Sequence, residues 1–397
     1  MSQADFSSET RYGMIDASLM NNNYQIGQFT NSLADGKFAN DVTVAKLQDL
    51  FKVGAADTFR IASEYRRDNM TSYPIAGATL TSQTGALSGM WDHAISKDFS
   101  LLNAVRGDRF WMERSGPFLT GTPYTNDDYN RALCAWSFNS ALVYRPTQLD
   151  SVKVSAARGL QLPSLTEFGI MRPVKTIANY PYPGFTTQIN SIGNPNLNPT
   201  KTMHYELSYD RQFPKLDTSG RLAVFHQVIT DVRDFTNVGN FFFVPPATLA
   251  ANTSFGAVGS AHVDGLEAEL KGRIDQTWRW GVNYSYEVVL DDSAADAYHD
   301  YSSSTPHHKA NVSLGWDHGP WEADGYLRYV SKTQLIEQVA GGGFSAFPVA
   351  PVCAYSQRIA YNINPDLRLE GNGTSGFADN PVNSEKRRVM FSVIAKY

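Results

Sequence analysis

The sequence predicts an all-β fold: an antiparallel, transmembrane β-barrel segment of about 16 or 17 strands, read as one domain over residues 1–397. Three observations carry the prediction. Apolar residues recur with period two. Several alternating runs exceed the about ten residues needed to cross a bilayer at a barrel's tilt. The breaks between runs are alternately short and long.

The alternation is plainest in the carboxyl-terminal half. From Trp278 to Glu287, one face carries Trp278, Trp280, Val282, Tyr284 and Tyr286, and the other Arg279, Gly281, Asn283, Ser285 and Glu287. Before it, Leu266, Ala268, Leu270 and Gly272 oppose Glu267, Glu269, Lys271 and Arg273. After it, Ala310, Val312, Leu314 and Trp316 oppose Lys309, Asn311, Ser313 and Asp317, and the apolar series returns at Trp321, Ala323, Gly325, Leu327 and Tyr329. Successive strand residues point to opposite sides of a sheet. One side of the wall is therefore predicted to meet lipid and the other to line a wet bore. A soluble sandwich also alternates, but its strands average about five to six residues.

The breaks sort into two classes. Short turns are predicted at Gly54–Asp57, Ser96–Asp98, Arg145–Gln148, Ile274–Gln276, His318–Pro320 and Asn364–Asp366. Long loops are predicted at Asn69–Thr81, Arg114–Asn130, Leu160–Thr200, Asp234–Val258, Asp291–Thr305, Lys332–Pro351 and Ala378–Glu385. A structureless loop as long as Leu160–Thr200 is unusual inside a soluble domain and ordinary on the rim of a barrel.

Bulk properties narrow the class. Aromatics make up 12% and charged residues 18%, rich in rings and lean in charge for a cytosolic enzyme. The mean hydropathy of -0.33 argues against a helical membrane protein. The longest apolar stretch, Phe241 to Ala251, is short and interrupted by Pro245 and Pro246. A net charge of -5 gives no reason to expect nucleic acid as a partner. Cys134 and Cys353 make no disulfide framework. No apolar h-region follows Met1, so a leader is expected to have been removed or the chain to begin inside a longer protein.

Ring residues cluster beside the short turns. Tyr144, Trp278, Trp280, Trp316, Trp321 and Tyr361, with Tyr397 at the chain end, are predicted to form a girdle at the water–lipid boundary, where amphipathic rings are favoured. The last strand, RRVMFSVIAKY, places Phe391, Val393, Ala395 and Tyr397 on one face. It resembles the terminal signal by which barrel assembly machinery recognises outer-membrane proteins.

Four stretches together resemble TonB-dependent outer-membrane receptors. SAARGLQLPSLTEFG (Ser155 to Gly169) is similar to that family's strand end and loop opening, a basic-Gly-aromatic-x-x-Pro-Ser pattern. GNPNLNPTKTMHYELSYDRQF (Gly193 to Phe213) is similar to its Asn-Pro-x-Leu-x-Pro-Glu segment, with Thr200 or Lys201 where an acidic residue is usual. VDGLEAEL (Val263 to Leu270) and TPHHKANVSLGW (Thr305 to Trp316) follow in the expected order. The resemblance runs from Leu47 to Tyr397. It implies the carboxyl-terminal part of a 22-stranded barrel that lacks about five strands, the globular plug and the energy-coupling box. It also implies uptake of a scarce nutrient, such as a ferric siderophore or similar chelate, across a Gram-negative outer membrane. The TonB complex would be a partner only of a full-length relative.

Within that resemblance, ligand contact is expected at loop rings and cations: Arg172, Lys175, Tyr180, Tyr182 and Phe185 in the longest loop, and Phe241, Phe242 and Phe243 in the next. Rings offer broad apolar contact and cations attract an acidic chelate. An equally weighted reading packs the same rings against neighbouring loops.

Catalytic and metal chemistry is not expected, nor any cofactor. His307 and His308 are adjacent and would point to opposite faces of a strand. Ser164 has no nucleophile-elbow glycines. Glu267 and Glu269 share a face and read as a lumen charge ladder with Lys271 and Arg273. The expected partners are outer-membrane lipid, the assembly machinery and a small chelate. Three alternatives stay open: a passive specific porin of about 16 strands, a secreted soluble β protein, and a non-functional remnant.

Overall fold

The computed structural model describes the chain except residues 31–32, 73–77, 181, 293–299, 339–343, 378–387 and 396–397. Side chains are further left undescribed at 26–30, 33–38, 72, 235–242, 337–338, 344, 375–377, 388 and 395. The first strands are β1 (Ser2–Thr10), β2 (Gly13–Thr30), β3 (Leu33–Val53), β4 (Asp57–Ser72), β5 (Thr79–Ala94), β6 (Phe99–Ser115), β7 (Arg131–Tyr144) and β8 (Asp150–Gln161). A long connection then holds α1 (Leu165–Gly169), β9 (Met171–Ala178) and β10 (Thr186–Ile192). It is followed by β11 (Thr200–Phe213), β12 (Thr218–Val244), β13 (Thr248–Arg273), β14 (Trp278–Asp291), α2 (Tyr301–Ser304), β15 (His308–His318) and β16 (Trp321–Val330). The last are β17 (Thr333–Gln338), β18 (Phe344–Val349), β19 (Val352–Asn364), β20 (Leu367–Phe377) and β21 (Arg388–Ala395).

Nineteen strands make one sheet. Two of them, β9 and β10, belong to a loop and join the sheet through a parallel pairing of β10 with β13. The remaining strands form the wall. Each pairs antiparallel with its successor from β1 to β8, β8 pairs with β11, and the meander continues through β16, β19, β20 and β21. That is the strand number the sequence predicts. The sheet is not closed: among the described residues β1 and β21 are each paired on one side. The β17–β18 hairpin stands apart.

The two faces divide as the alternation requires. Trp280, Tyr284, Leu314 and Leu327 share one face, and Arg279, Glu267 and Asn311 the other. We call the first outer, because the long loops fold onto the second. The outer face leaves large apolar groups bare: Leu87 is 70% exposed, Val105 57%, Val154 53% and Leu207 48%. Lone exposed apolar residues are normal, but a band repeated along successive strands exceeds what soluble monomers carry and suits a hydrocarbon solvent. The inner face pairs its charges instead. Arg358 meets Glu322, Asp324 and Glu370, Arg368 meets Glu322 and Glu370, and Arg279 meets Asp317 and Asp324. Glu269 is bridged by Lys271 at 2.6 Å, as a lumen charge ladder would be.

All the predicted short turns lie at one end of the wall, joined by two that the sequence reading did not single out, at Arg11–Tyr12 and around Pro214–Asp217. Three predicted loops need correction. Residues 234–258 are largely strand: β12 and β13 run as one hairpin through that region to a turn at Pro245–Ala247. Leu160–Thr200 is not structureless, since it holds α1 and the β9–β10 hairpin. Lys332–Pro351 contains the β17–β18 hairpin. In each case the backbone satisfies its hydrogen bonds by pairing with a neighbouring segment, which outweighs a weak local alternation.

The division of faces sets an expected outcome. Val154→Arg, on the outer face four residues into β8, should cost about 2–4 kcal/mol, the penalty of an arginine near the bilayer midplane. Ser155→Arg, on the inner face opposite Glu206, should change stability by less than about 1 kcal/mol. Urea unfolding of the two variants in vesicles measures the difference, and equal effects would refute the assignment of the faces.

Candidate functional site

At the end of the wall opposite the short turns, three segments fold onto the inner face and pack together. They are residues 116–130, the connection holding α1 and the β9–β10 hairpin, and the outer end of the β12–β13 hairpin. Their shared core is Met70, Leu80, Phe110, Met112, Tyr129, Phe168, Met171 and Leu197. Phe110 and Phe168 stack at 5.7 Å between ring centroids. The Tyr129 hydroxyl is buried, and that burial pushes its pKa up despite the opposing Arg114 cation.

The short helix α1 is fixed by local chemistry. Ser164 caps it, its hydroxyl accepting from the Glu167 amide at 3.2 Å, while the Ser164 amide donates to the Glu167 carboxylate at 2.7 Å. This reciprocal capping box satisfies two otherwise unpaired donors. Ser164 is thus a helix cap.

Three arginines distant in sequence stitch the cap together. Arg131 donates to the carbonyls of Pro195 and Leu197 at 2.8 and 2.7 Å and to Asn198 Oδ1 at 2.9 Å, holding the Asn-Pro segment. Arg233 donates through Nε to Glu167 at 3.0 Å and through Nη1 to the Gln161 carbonyl at 3.0 Å and Thr200 Oγ1 at 2.7 Å. It therefore joins the ends of β8 and β11 to α1. Arg114 donates to the Gly116 and Pro117 carbonyls and to Asn126, and lies 3.7 Å over the Phe118 ring. A polar seam completes the cap: Asn190 donates to Asn252 at 3.1 Å, and Asn252 to the Gly121 carbonyl at 2.8 Å. Gly193 is required by close approach, because a Cβ there would overlap the Phe168 carbonyl.

Two cavities lie under the cap on the inner face. One, of about 760 Å³, includes Glu64, Arg66, Asp68, Arg106, Asp108 and Phe110 in its lining. The other, of about 330 Å³, has Ile229, Val263 and Val289 as an apolar floor, with Glu167, Arg233 and Tyr301 at its polar edge.

The structure distributes the sequence-predicted residues unevenly. Tyr182, Phe185 and Phe243 come together at the tip of the cap, with centroids 6.2 Å apart for the first pair and 6.3 Å for the second. Tyr180 is exposed nearby. Lys175 is exposed along β9, opposite Ile189, and Arg172 is half-buried opposite Ser191, at the other end of the hairpin from the rings. The side chains of Phe241 and Phe242 lie outside the described residues. Girdle candidates face outward beside the short turns: Tyr144 stacks on Phe99 at 4.4 Å, Trp278 meets Trp316 at 6.3 Å, and Trp321 meets Tyr361 at 4.7 Å. Trp280 lies on the same face. Phe391 and Val393 are strongly exposed on the outer side of β21, whereas the Ala395 side chain and Tyr397 lie outside the described residues. His307 and His308 both pack against Tyr286, at 6.4 and 5.1 Å. No group of three metal-ligating side chains occurs among the described residues.

Comparison with known proteins follows the same lines. The family model described as "TonB dependent receptor-like, beta-barrel" matches residues 2–374. A sequence search of curated proteins returned no match. Solved structures do match in fold. A mutant ferric enterobactin receptor, PfeA, from Pseudomonas aeruginosa in complex with enterobactin superposes with a TM-score of 0.71 at 14% identity, over 99% of this chain and 61% of that one. The FrpB iron transporter from Neisseria meningitidis gives 0.71 at 12% identity, over 100% and 63%. The copper transporter OprC gives 0.68 at 13%, over 94% and 57%. The chain thus spans less than two thirds of the length of these matched chains.

Glu167 supplies a pH test of the cap. Burial raises its pKa, but the Ser164 amide, Arg233 and the Ser164 hydroxyl outweigh that and hold it below the ordinary value of 4.5. A depressed carboxylate stabilises the fold above its unfolded pKa, and the contribution is lost as pH falls through the folded pKa. Limited proteolysis between Leu162 and Pro199 should therefore accelerate only as pH drops below about 4.5. Glu167→Gln should remove most of that dependence. Arg233→Ala, which leaves the Glu167 carboxylate without its cation, should open the segment at neutral pH by about 3 kcal/mol. A pH-independent cleavage rate in the unaltered chain would contradict the role given to Glu167.

Proposed function

The chain belongs to the TonB-dependent receptor-like β-barrel family, and from that membership we propose that it forms barrel wall and ligand-facing loops of a Gram-negative outer-membrane nutrient receptor. The substrate is a ferric siderophore or a similar bulky chelate. The observation that carries this reading is the cap itself. Stitched loops cover a cavity of about 760 Å³ and present a ring cluster, Tyr182–Phe185–Phe243, at their tip.

Such rings suit the organic shell of a chelate, which offers flat apolar area rather than a bare charge. The cavity beneath is neutralised, with Arg66 on Asp68 and Arg106 on Asp108 and Glu64, so rings rather than net charge select the ligand. Lys175 and Arg172 supply cations along the hairpin that leads inward. Uptake would be driven by the TonB complex in the full-length receptor. In the same reading the outward rings beside the short turns form a lipid-boundary girdle, and β21, with Phe391 and Val393 outward, is the strand the assembly machinery reads. The role is transport, with no catalytic step.

Ferric enterobactin and Cu²⁺ serve as probes that separate the two substrate classes named for the matched structures, a ferric chelate and copper. Tryptophan fluorescence of the detergent-solubilised chain should respond saturably to the ferric chelate and not to Cu²⁺. Tyr182→Ala/Phe185→Ala/Phe243→Ala should weaken that binding by about tenfold or more, given roughly 0.5–1.5 kcal/mol for each ring contact. Saturable binding of Cu²⁺ alone, or equal chelate affinity in the triple variant, would overturn the reading.

A further inference from the structure

We propose that Arg67, Arg109 and Arg158 form a docking strip on the outer face for the phosphate groups of anionic lipid headgroups. The strip rests on the membrane placement proposed above.

Register fixes where these side chains point. Pairing is uninterrupted from β3 to β8 and on to β11. Arg67 therefore shares its face with Ile61 and Tyr65, Arg109 with Val105, and Arg158 with Val154, all of which are exposed on the outer face. Height follows from strand position. Arg67 and Arg109 each lie ten residues past the first residue of their strands, Asp57 and Phe99, and Arg158 lies eight past Asp150. Those first residues adjoin the short turns. A barrel strand tilted by about 40° climbs roughly 2.5 Å per residue along the axis. The three guanidiniums thus stand about 20–25 Å from the turn end, where an apolar band about 25 Å tall gives way to headgroups. They occupy alternate strands, so they follow one another at about 10 Å around the rim.

Their pairing differs from that of their inner-face neighbours. On the same strands, Arg66 is bound to Asp68 at 2.7 Å and Arg106 to Asp108 at 2.8 Å. Arg67 and Arg109 form no ion pair among the described residues. Arg158 donates through Nη1 to the Trp136 carbonyl and lies 4.3 Å over the Trp136 ring, itself 53% exposed to the outside, but it too forms no ion pair among the described residues. Of the outward carboxylates on these strands, Asp49, Asp57 and Asp150 lie nearer the turn end, while Asp41 stands two residues beyond the level of Arg67 and Glu113 four residues beyond Arg109. The next outward cation toward the cap end, Lys201, is already held by Asp231 at 2.9 Å. The strip is thus a run of planar donors with no carboxylate at their own level and no ion pair to Arg67 or Arg109 among the described residues, beside an amphipathic ring. Guanidinium matches phosphate bidentately, and a tryptophan is favoured at that depth.

The test uses the whole chain in detergent, offered equal amounts of phosphatidylglycerol and phosphatidylcholine and examined by native mass spectrometry. The unaltered chain should retain phosphatidylglycerol preferentially. Arg67→Gln/Arg109→Gln should lose about fivefold of that preference per arginine removed, the ratio equivalent to ~1 kcal/mol per basic residue at an anionic surface. Arg158→Lys, which keeps the charge, should retain more of it than Arg158→Gln. Lys97→Gln/Arg145→Gln/Lys215→Gln, which removes three cations at the short-turn end, should leave it unchanged. Equal losses in the two charge-removal variants, or no preference in the unaltered chain, would overturn the strip. Flotation with phosphatidylcholine vesicles tests the placement separately: if no variant floats, the membrane reading fails and the strip with it.

Discussion

A strand inside hydrocarbon has no water to satisfy its amides, so each backbone donor and acceptor must find a partner on a neighbouring strand. The rest of this chain follows from that constraint. It favours a meander in which each wall strand except β1 and β21 pairs with a neighbour on both sides among the described residues, and it fixes side-chain direction strictly, because a slip of one residue would turn apolar groups into the bore and charges into lipid. The long uninterrupted registers, such as those of β4 with β5 and β5 with β6, are the direct expression of it. Side chains are sorted as a result. Leu87, Val105 and Val154 are left bare outside, and Arg358, Glu322 and Asp324 are gathered inside.

Beyond the bilayer the constraint relaxes without vanishing. The wall strands β12 and β13, at 27 and 26 residues, far exceed a bilayer crossing, and their excess length serves as scaffold for the loops. β10 lays itself parallel to β13, α1 is capped by its own Ser164 and Glu167, and the Asn-Pro segment, whose prolines lack backbone donors, has its carbonyls collected by Arg131. The cap is therefore an ordered layer above the cavities. A ligand reaching those cavities meets fixed groups, and preorganisation of that kind lowers the ordering cost of binding.

Legibility in the sequence tracked how local each determinant is. The period-two pattern of β13 to β15 is repeated in every residue pair, so the faces of Trp280, Leu314 and Arg279 could be read directly. The short turns were equally plain where Gly, Pro, Asp and Asn interrupt the alternation. The hairpin extension through residues 234–258 was not. Its alternation is broken by Gly256, Gly259 and the Pro245–Pro246 pair, and its strand state comes from the partner across the hairpin. The cap was half legible. The two motifs stood out as segments, but what holds them is Arg131 and Arg233, which lie 64 or more residues away in sequence from the carbonyls of Pro195 and Gln161 that they bind. Nothing local marks either arginine. Ser164 and Glu167, three apart, carry a recognisable capping box that could have been read as one.

The arginines show how one side chain is put to three uses by its surroundings. In the bore, where water and carboxylates are both at hand, Arg358 and Arg106 sit in ion-pair networks. In the cap, Arg114 and Arg131 are bound mostly by neutral carbonyl and amide oxygens, an arrangement that salt cannot screen as it screens an exposed pair. On the outer face, Arg67 and Arg109 are exposed and form no ion pair among the described residues. A guanidinium has five donors and cannot shed its proton. Its partners at each depth must therefore come from whatever lies there: side chains in the bore, backbone in the cap, and, in the proposed strip, lipid phosphate.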